Sequence, residues 1–312
     1  MKRLFVTGAS GFVGQNLMRL VATKNAYPDI ELIIPNYRID IRDQDGLTAF
    51  VEASRLTHVI HLAAQSHVPT SIQDPRTTLD INLYGTLSLL QALKASGFGG
   101  TLLYVGSSDI YGRVESERLP IKEDSALHPR NPYAVSKVAA EALCYQWSQT
   151  ERFRLVMARP FNHIGPGQNE HFVISGFAKQ IVEIKAGLRA NEIVHGDIDV
   201  TRDFTDVRDV VRAYLLLLEL GQTGEQYNVC SGVERSPRQL LERLLSLGDV
   251  KAEIMQDESR MRVSELRRAC GSFAKLQMHT AWKPEIAIDQ SLSDILAFWQ
   301  GQDVTRKVRH TS

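Results

Sequence analysis

A glycine-rich turn lies directly after the first apolar run of the chain. The run RLFVTG is typical of a buried strand, and Gly8, Gly11 and Gly14 lead into an amphipathic segment that continues to about Ala22. Glycines permit a tight turn and a close backbone approach to a pyrophosphate, which the free N–H groups of the following helix attract. The turn therefore predicts a dinucleotide site at the first strand.

The rest of the first half alternates short apolar runs with helical patterns. ELIIP, THVIHLAA, TLLYVGSS and RLVMARPFN each favour a strand, and amphipathic segments separate them. This alternation predicts an α/β fold, a doubly wound parallel Rossmann-type sheet. After HIGPGQ the pattern becomes mixed, so we expect an NAD(P)-binding domain over 1–164 and a smaller α/β substrate-binding part over 165–312, with chain crossings between them.

The ends of the predicted strands supply candidates for the cofactor wall, because parallel sheets bind ligands at their carboxyl ends. The candidates are Phe12, Val13, Asp40, Ile41, Leu62, Ala63, Ala64 and Gln65. The second strand ends in IIPNYR, without a carboxylate for a ribose 2′-hydroxyl and with Arg38 nearby. A 2′-phosphate would meet no repulsion there, which permits and favours NADP(H) and leaves NAD(H) open.

The segment NPYAVSK places Tyr133 and Lys137 four positions apart. Asn131 and Pro132 predict a helix start, because asparagine is a favoured cap and proline is tolerated in the first turn. Tyr133 and Lys137 then share one helix face. A nearby ammonium would lower the pKa of the tyrosine toward a value useful for proton transfer. A surface Tyr/Lys pair is the alternative, and the glycine turn favours the catalytic interpretation.

Charge and cysteine content argue against several classes of protein. Lys plus Arg and Asp plus Glu number 36 each, so the chain has no bulk field for nucleic acid or an anionic membrane. Three widely spaced cysteines predict neither a disulfide framework nor a zinc site, and His61 and His67 lack accompanying ligands. The first apolar run is too short for a signal peptide or a membrane span. We expect a cytoplasmic protein without a bound metal.

Four motifs in order carry a resemblance to a known family. They are the Gly8-x-x-Gly11-x-x-Gly14 turn, YVGSSDIYG, Tyr133-x-x-x-Lys137 and RPFNHIGPGQ. Together they resemble the extended short-chain dehydrogenase/reductases that act on nucleotide sugars. TRDFTDVRDVVRAY and MRVSE resemble the C-terminal signatures of that family, so the likeness covers nearly the whole chain. AAQSHV, FNHIGPGQNEHFV and GDIDVTRDF are similar to the branch that handles GDP-mannose derivatives.

The resemblance implies roles for particular residues. Ser107 would bond the substrate oxygen at C4, Tyr133 would donate a proton to it, and Lys137 would hold the ribose hydroxyls of NAD(P)H. The substrate-binding residues implied for the GDP-sugar are Ser107, Ser108, Tyr133, Asn162, Val173, Arg202, Arg262 and Glu265. Family members pair two helices across a two-fold axis, which implies a homodimer.

Asp109 bears on which reaction the family site would perform. In the related dehydratases a glutamate at this position is the base at C5, and in related epimerase/reductases a cysteine falls there. Aspartate instead fits a reductase that converts GDP-4-dehydro-6-deoxy-D-mannose to GDP-D-rhamnose. A GDP-mannose 4,6-dehydratase, another nucleotide-sugar epimerase or dehydratase, and a non-catalytic dinucleotide sensor are the alternatives.

Overall fold

The computed structural model describes the backbone of residues 1–23, 26–36, 39–258 and 267–310, and the side chains of these residues as far as 302. The strands are β1 Lys2–Thr7, β2 Ile30–Ile33, β3 His58–His61, β4 Thr101–Val105, β5 Arg154–Pro160, β6 Asn162–Ile164, β7 Glu192–His195, β8 Arg202–Asp206, β9 Gln226–Val229, β10 Glu234–Arg235 and β11 Glu253–Gln256. The helices are α1 Phe12–Ala22, α2 Gln44–Ser54, α3 Val68–Gln73, α4 Pro75–Leu79, α5 Gly85–Ala95, α6 Pro132–Thr150, α7 Val173–Lys185, α8 Val207–Leu220, α9 Pro237–Gly248, α10 Ala274–Thr280 and α11 Ile288–His310.

A six-stranded parallel sheet in the order β2-β1-β3-β4-β5-β9 forms the centre of the molecule. Helices α1 and α8 bury their apolar faces on one side of this sheet, and α2, α5 and α6 bury theirs on the other. Strands β4 and β5 are covered on both faces, which explains their nearly continuous apolar sequences. The predicted doubly wound Rossmann-type sheet is confirmed.

The residues after 164 build two small sheets and a separate core. Strands β10, β8 and β6 form one sheet, and β11 pairs with β7 in the other. Helices α7, α9 and α11 pack together around Phe177, Leu241 and Ile295. Strand β9 and helix α8, although they follow residue 164, pack with the large sheet. The predicted division at residue 164 stays a prediction.

Local sequence explains where α6 begins. Asn131 accepts a hydrogen bond from the backbone N–H of Ala134 at 2.8 Å, and Pro132 occupies the first helical position, as predicted. A π-helical turn over Asp80–Tyr84 joins α4 to α5, and α5 ends near Gly97, whose φ is 67°. Within the described ranges, no helix combines the length and the apolar character needed to cross a bilayer.

Candidate active site

One large cleft, of about 2830 Å³, opens at the carboxyl ends of the parallel strands. The glycine turn, the end of β4 and the start of α6 line one side of it. The segment after β6, the start of α7 and the end of β7 line the other. The cleft therefore joins the large sheet to the residues that follow it in the chain.

The glycine turn has the geometry that only glycine permits. Gly8 has a φ of 71°, and a Cβ there would lie 2.8 Å from the backbone nitrogen of Ala63. A Cβ at Gly14 would lie 2.6 Å from both the carbonyl oxygen of Gly8 and the Cα of Ala9. Gly11 precedes α1 without any side-chain cap, so the first N–H groups of the helix face the cleft. This cradle fits a pyrophosphate.

Most of the predicted wall residues line the cleft. They are Phe12, Val13, Asp40, Ile41, Leu62, Ala63 and Ala64. Asp40 is exposed and accepts two hydrogen bonds from the Arg42 guanidinium, at 2.6 and 3.0 Å. Ile41 is buried, with its side chain against Gly85 at the start of α5. Arg38 lies outside the described residues.

Gln65 does not line the cleft, and its role in the cofactor wall stays a prediction. Its side-chain amide bonds the backbone of His67 and the hydroxyl of Thr78. Its backbone N–H and carbonyl are both bonded by Asn82 in the π-helical turn, at 2.8 and 3.0 Å. Asn82 also donates to Ser136 of α6, so it connects this loop to the helix that carries Tyr133.

The two histidines near β3 differ in role. His61 is buried between the hydroxyls of Thr7 and Thr86, at 2.7 and 3.0 Å. Burial lowers the pKa of His61 to about 3, so the ring is neutral and structural. His67 lines the cleft, where its ring centroid lies 6.4 Å from that of His171. In the part of the chain that the structure describes, no cluster of three potential ligands could hold a metal ion.

Ser107, Tyr133 and Lys137 come together at the floor of the cleft. Ser107 follows β4 and accepts a hydrogen bond from the backbone N–H of Asp109 at 3.2 Å. Tyr133 and Lys137 lie on one face of α6, with exposed fractions of 9% and 5%. The Ser107 side chain lies near enough to the Tyr133 phenol to lower the pKa of that phenol. The Lys137 ammonium donates to the carbonyl oxygen of Val105 at 2.8 Å.

The prediction that Lys137 lowers the pKa of Tyr133 is wrong for this structure. Burial raises the pKa of Tyr133, the nearby Asp109 carboxylate raises it further, and only the hydrogen bond with Ser107 acts in the opposite direction. Lys137 directs its ammonium to the Val105 carbonyl instead, and burial lowers its own pKa to about 8. The phenol is therefore protonated at neutral pH, as a proton donor must be.

The predicted substrate-binding residues that the structure describes, Ser108, Asn162, Val173 and Arg202, all line the cleft. Asn162 lies on β6, and Val173, which is 42% exposed, begins α7. Arg202 lies on β8, where burial lowers its pKa and the charges of Asp109 and Asp197 oppose that effect. Arg262 and Glu265 lie outside the described residues.

Two further groups near the site were not predicted. Glu141 lies one turn beyond Lys137 on α6 and pairs with Arg159 of β5. The four-residue spacing of Tyr133, Lys137 and Glu141 is visible in the sequence, but the partner of Glu141 is not. Asn82, in the π-helical turn, joins the loop of Gln65 to α6, and no sequence signal points to that turn.

Several known proteins are similar to this chain over nearly its full length. The family profile described as GDP-mannose 4,6 dehydratase matches residues 28–295. The chain is 53% identical to GDP-6-deoxy-D-mannose reductase of Pseudomonas aeruginosa over 301 residues, which cover 96% of this chain and 98% of that protein. It is 28% identical to a GDP-mannose 4,6-dehydratase of Vibrio cholerae, over 82% of this chain and 76% of that protein.

Solved structures extend the similarity to the fold. RMD from Pseudomonas aeruginosa complexed with NADPH has a TM-score of 0.93 and 52% identity, covering 97% of this chain and 100% of that one. UDP-glucose 4-epimerase of Thermus thermophilus in complex with NAD has a TM-score of 0.84 and 27% identity, covering 96% of this chain and 99% of that one.

Proposed function

Because the chain belongs to the GDP-mannose 4,6-dehydratase family of nucleotide-sugar enzymes, we propose that it reduces GDP-4-dehydro-6-deoxy-D-mannose to GDP-D-rhamnose with NAD(P)H. The observation that carries this proposal is that Ser107 and the buried Tyr133 and Lys137 line the same cleft as the glycine turn. The name of the relative at 53% identity, GDP-6-deoxy-D-mannose reductase, supports the reductive direction.

The cofactor is NADPH, with NADH as the second possibility. The NADPH complex of RMD supports this choice. The glycine turn and the free N–H groups of α1 would bind the pyrophosphate, and the residues around Asp40 and Leu62 would form the wall of the adenosine and nicotinamide pockets. Arg38 would bind the 2′-phosphate. When bound, the nicotinamide supplies the hydride.

The residues of this chain would deliver the proton and hold the reacting atoms. Tyr133 would donate its phenolic proton to the C4 oxygen, since its raised pKa keeps the phenol protonated at neutral pH. Ser107 would hydrogen-bond the same oxygen and orient it. Lys137, with its ammonium near the end of β4, would bind ribose hydroxyls. Exclusion of water from this buried floor strengthens each of these hydrogen bonds.

The GDP-sugar would occupy the side of the cleft formed after β6. Arg202 suits the diphosphate, because a guanidinium forms two parallel hydrogen bonds to phosphate oxygens. Asn162 and Ser108 would bond sugar hydroxyls, and Val173 would contact the nucleotide. Arg262 and Glu265 complete the proposed set by their resemblance to family positions.

The proposal is tested with purified protein, NADPH and GDP-4-dehydro-6-deoxy-D-mannose. We expect NADPH absorbance to fall and GDP-D-rhamnose to form in equal amount. A matched reaction with the Tyr133→Phe variant should show little consumption. If the wild-type protein binds NADPH but the NADPH absorbance does not fall, the proposed activity is contradicted.

Dehydration of GDP-mannose is the second candidate, favoured by the family profile itself and by a carboxylate, Asp109, at the catalytic turn. The shorter side chain of aspartate argues against proton abstraction at C5. Incubation with GDP-mannose and NADP⁺ decides between them, since a dehydratase forms a keto sugar without net consumption of cofactor. Formation of that product at a rate comparable to the reductase reaction would replace the first proposal.

We also propose a cytoplasmic homodimer that pairs through α5 and α6. Tyr84, Val135 and Tyr145, on and beside these helices, expose 57%, 46% and 50% of their surface and supply apolar area that a second copy would cover. Light scattering coupled to gel filtration measures the mass. A monomer at micromolar concentration, or a dimer unaffected by Val135→Glu, would contradict this assembly.

A further inference from the structure

A third polar side chain continues the row formed by Tyr133 and Lys137 along α6. Glu141 lies one turn beyond Lys137 and is 5% exposed. Its carboxylate accepts hydrogen bonds from the Arg159 guanidinium, at 2.6 Å from Nη2 and at 3.0 and 3.2 Å from Nε. Its Oε2 also lies against Gly106, the residue before Ser107. The Glu141 carboxylate is thus buried, paired with Arg159, and close to the backbone that leads into Ser107.

Arg159 is held from its other side as well. Its Nη1 donates to the hydroxyl of Tyr111 and to the carbonyl of Glu123, both at 2.8 Å. The Tyr111 hydroxyl in turn donates to Asn228 of β9 at 2.7 Å. Tyr111 ends the short helical turn that begins after Ser107. The network therefore connects the Tyr133 helix to the Ser107 turn through β5.

Of the titratable groups that face Lys137 in the described part of the chain, Glu141 is the one that supplies a negative charge. Among the described residues, the titratable groups facing Lys137 are Glu141, Cys144 and Tyr133 on α6, Tyr104 on β4 and His61 on β3, with Arg159 on β5 behind Glu141. Burial raises the pKa of the Cys144 thiol and of the Tyr104 phenol, and lowers that of His61. All three are neutral near pH 8, and so is Tyr133.

We propose that Glu141, held in place by Arg159, is a positioning residue that keeps Lys137 in its charged form and fixes it beside Ser107. This inference rests on the proposed reductase activity. An opposite charge near a buried ammonium offsets the cost of its desolvation. A buried ion pair contributes little net stability compared with apolar residues, so its place under the reacting groups favours a functional reason for it.

The test is the pH dependence of kcat/KM for NADPH-driven reduction by Glu141→Gln. Loss of the carboxylate destabilises the Lys137 ammonium, so the alkaline limb should move to lower pH by about one unit. The position of this limb does not depend on the fraction of folded protein. NADPH affinity, measured by binding over the same pH range, should weaken at correspondingly lower pH.

Because Glu141→Gln leaves Arg159 buried without its partner, the double variant Glu141→Gln/Arg159→Met is the companion. This double variant removes both charges and should fold. The alkaline limb of its pH profile should still lie at lower pH than that of the wild type. A limb that coincides with the wild-type limb in both variants would overturn the inference. Failure of the double variant to fold would overturn it too, since the pair would then be structural.

Two control variants test whether the shift of the alkaline limb is specific to Glu141. Glu151→Gln makes the same substitution at the far end of α6, where the carboxylate pairs with Lys94, and should leave the limb in place. Cys144→Ala removes a thiol on this face whose burial keeps it neutral near pH 8, and should also leave the limb in place. A shift in either control equal to that of Glu141→Gln would contradict the assignment. Wild-type protein without reductase activity would reject the proposed function instead.

Discussion

The two sides of the cleft present different kinds of group to a ligand. On the glycine-turn side, backbone atoms face the cleft, and the key side chains, Tyr133 and Lys137, are buried, with the Lys137 ammonium bonded to the Val105 carbonyl. On the opposite side, charged side chains face the cleft in ion pairs. Lys179 pairs with Glu170 and Glu183, and the Glu183 carboxylate lies 3.4 Å from Arg189.

This difference has a physical consequence for binding. Backbone N–H groups are already oriented, so a dinucleotide there requires little rearrangement. Ion-paired cations must exchange a carboxylate for a ligand phosphate, and partial exposure makes each pair weak enough to exchange. Changes on the glycine-turn side should therefore affect chemistry and cofactor binding, and changes on the opposite side should affect mainly the nucleotide sugar.

The largest effect is expected from Tyr133→Phe. Removal of the proton donor should lower kcat by ~10²–10⁴-fold, the usual range for general acid catalysis. NADPH binding should persist, because the glycine turn is untouched. Steady-state kinetics and a binding titration measure the two effects separately. A kcat within a few fold of wild type would remove Tyr133 from the mechanism.

The second largest effect is expected from Arg202→Met, which should affect binding of the nucleotide sugar and not binding of NADPH. Loss of a charged hydrogen-bonding partner costs about 1.5–3 kcal/mol, which corresponds to roughly 10–150-fold in the KM for the nucleotide sugar. The affinity for NADPH should not change. Arg243→Met is the control, because Arg243 pairs with Asp289 away from the cleft. Equal losses in both variants, or a weakened NADPH affinity in Arg202→Met, would break the comparison.

Gly14→Ala should weaken NADPH binding by a similar or smaller factor. The added Cβ would lie 2.6 Å from the Gly8 carbonyl and must shift the turn, at a cost of about 1–3 kcal/mol. Gly99→Ala is the matched control, since a Cβ there meets nothing within 4 Å. Titration with NADPH compares them, and wild-type affinity in Gly14→Ala would mean that the turn does not hold the cofactor.

The smallest change concerns stability. Burial lowers the pKa of Lys137 from 10.5 to about 8, so the unfolded chain binds more protons between these values and stability rises with pH across that window. Below pH 8 the full cost of burying the charged lysine is present, which is about 3 kcal/mol of folding stability for 2.5 pK units. The Val105 hydrogen bond offsets about 1 kcal/mol of it. An inactive Lys137→Met variant should gain about 2 kcal/mol at neutral pH.

Denaturant unfolding at several pH values measures this gain. The difference between Lys137→Met and wild type should shrink as pH rises from 8 toward 10.5, because the wild-type lysine then loses its charge in both states. A variant less stable than the wild type at pH 7 would show that Lys137 contributes to the fold rather than burdening it.

Local rules accounted for much of the site. The glycine turn follows from a backbone that only glycine adopts at Gly8, and the shared face of Tyr133 and Lys137 follows from the helix period. Alternating apolar runs predicted the parallel sheet, and the carboxyl ends of its strands predicted most of the cleft wall. The Gln65 side chain, which bonds Thr78, shows that position near a strand end does not determine which way a loop side chain turns.

The sequence by itself determined the strand-turn-helix start, the sheet class and the spacing of Tyr133 and Lys137, because each depends on neighbours in the chain. Tertiary structure alone decided the proton chemistry. The pKa of Tyr133 depends on burial and on Asp109, and the environment of Lys137 depends on Glu141 and on Arg159 from another strand. Electrostatic energies depend on distance and desolvation in space, which spacing along a sequence does not specify.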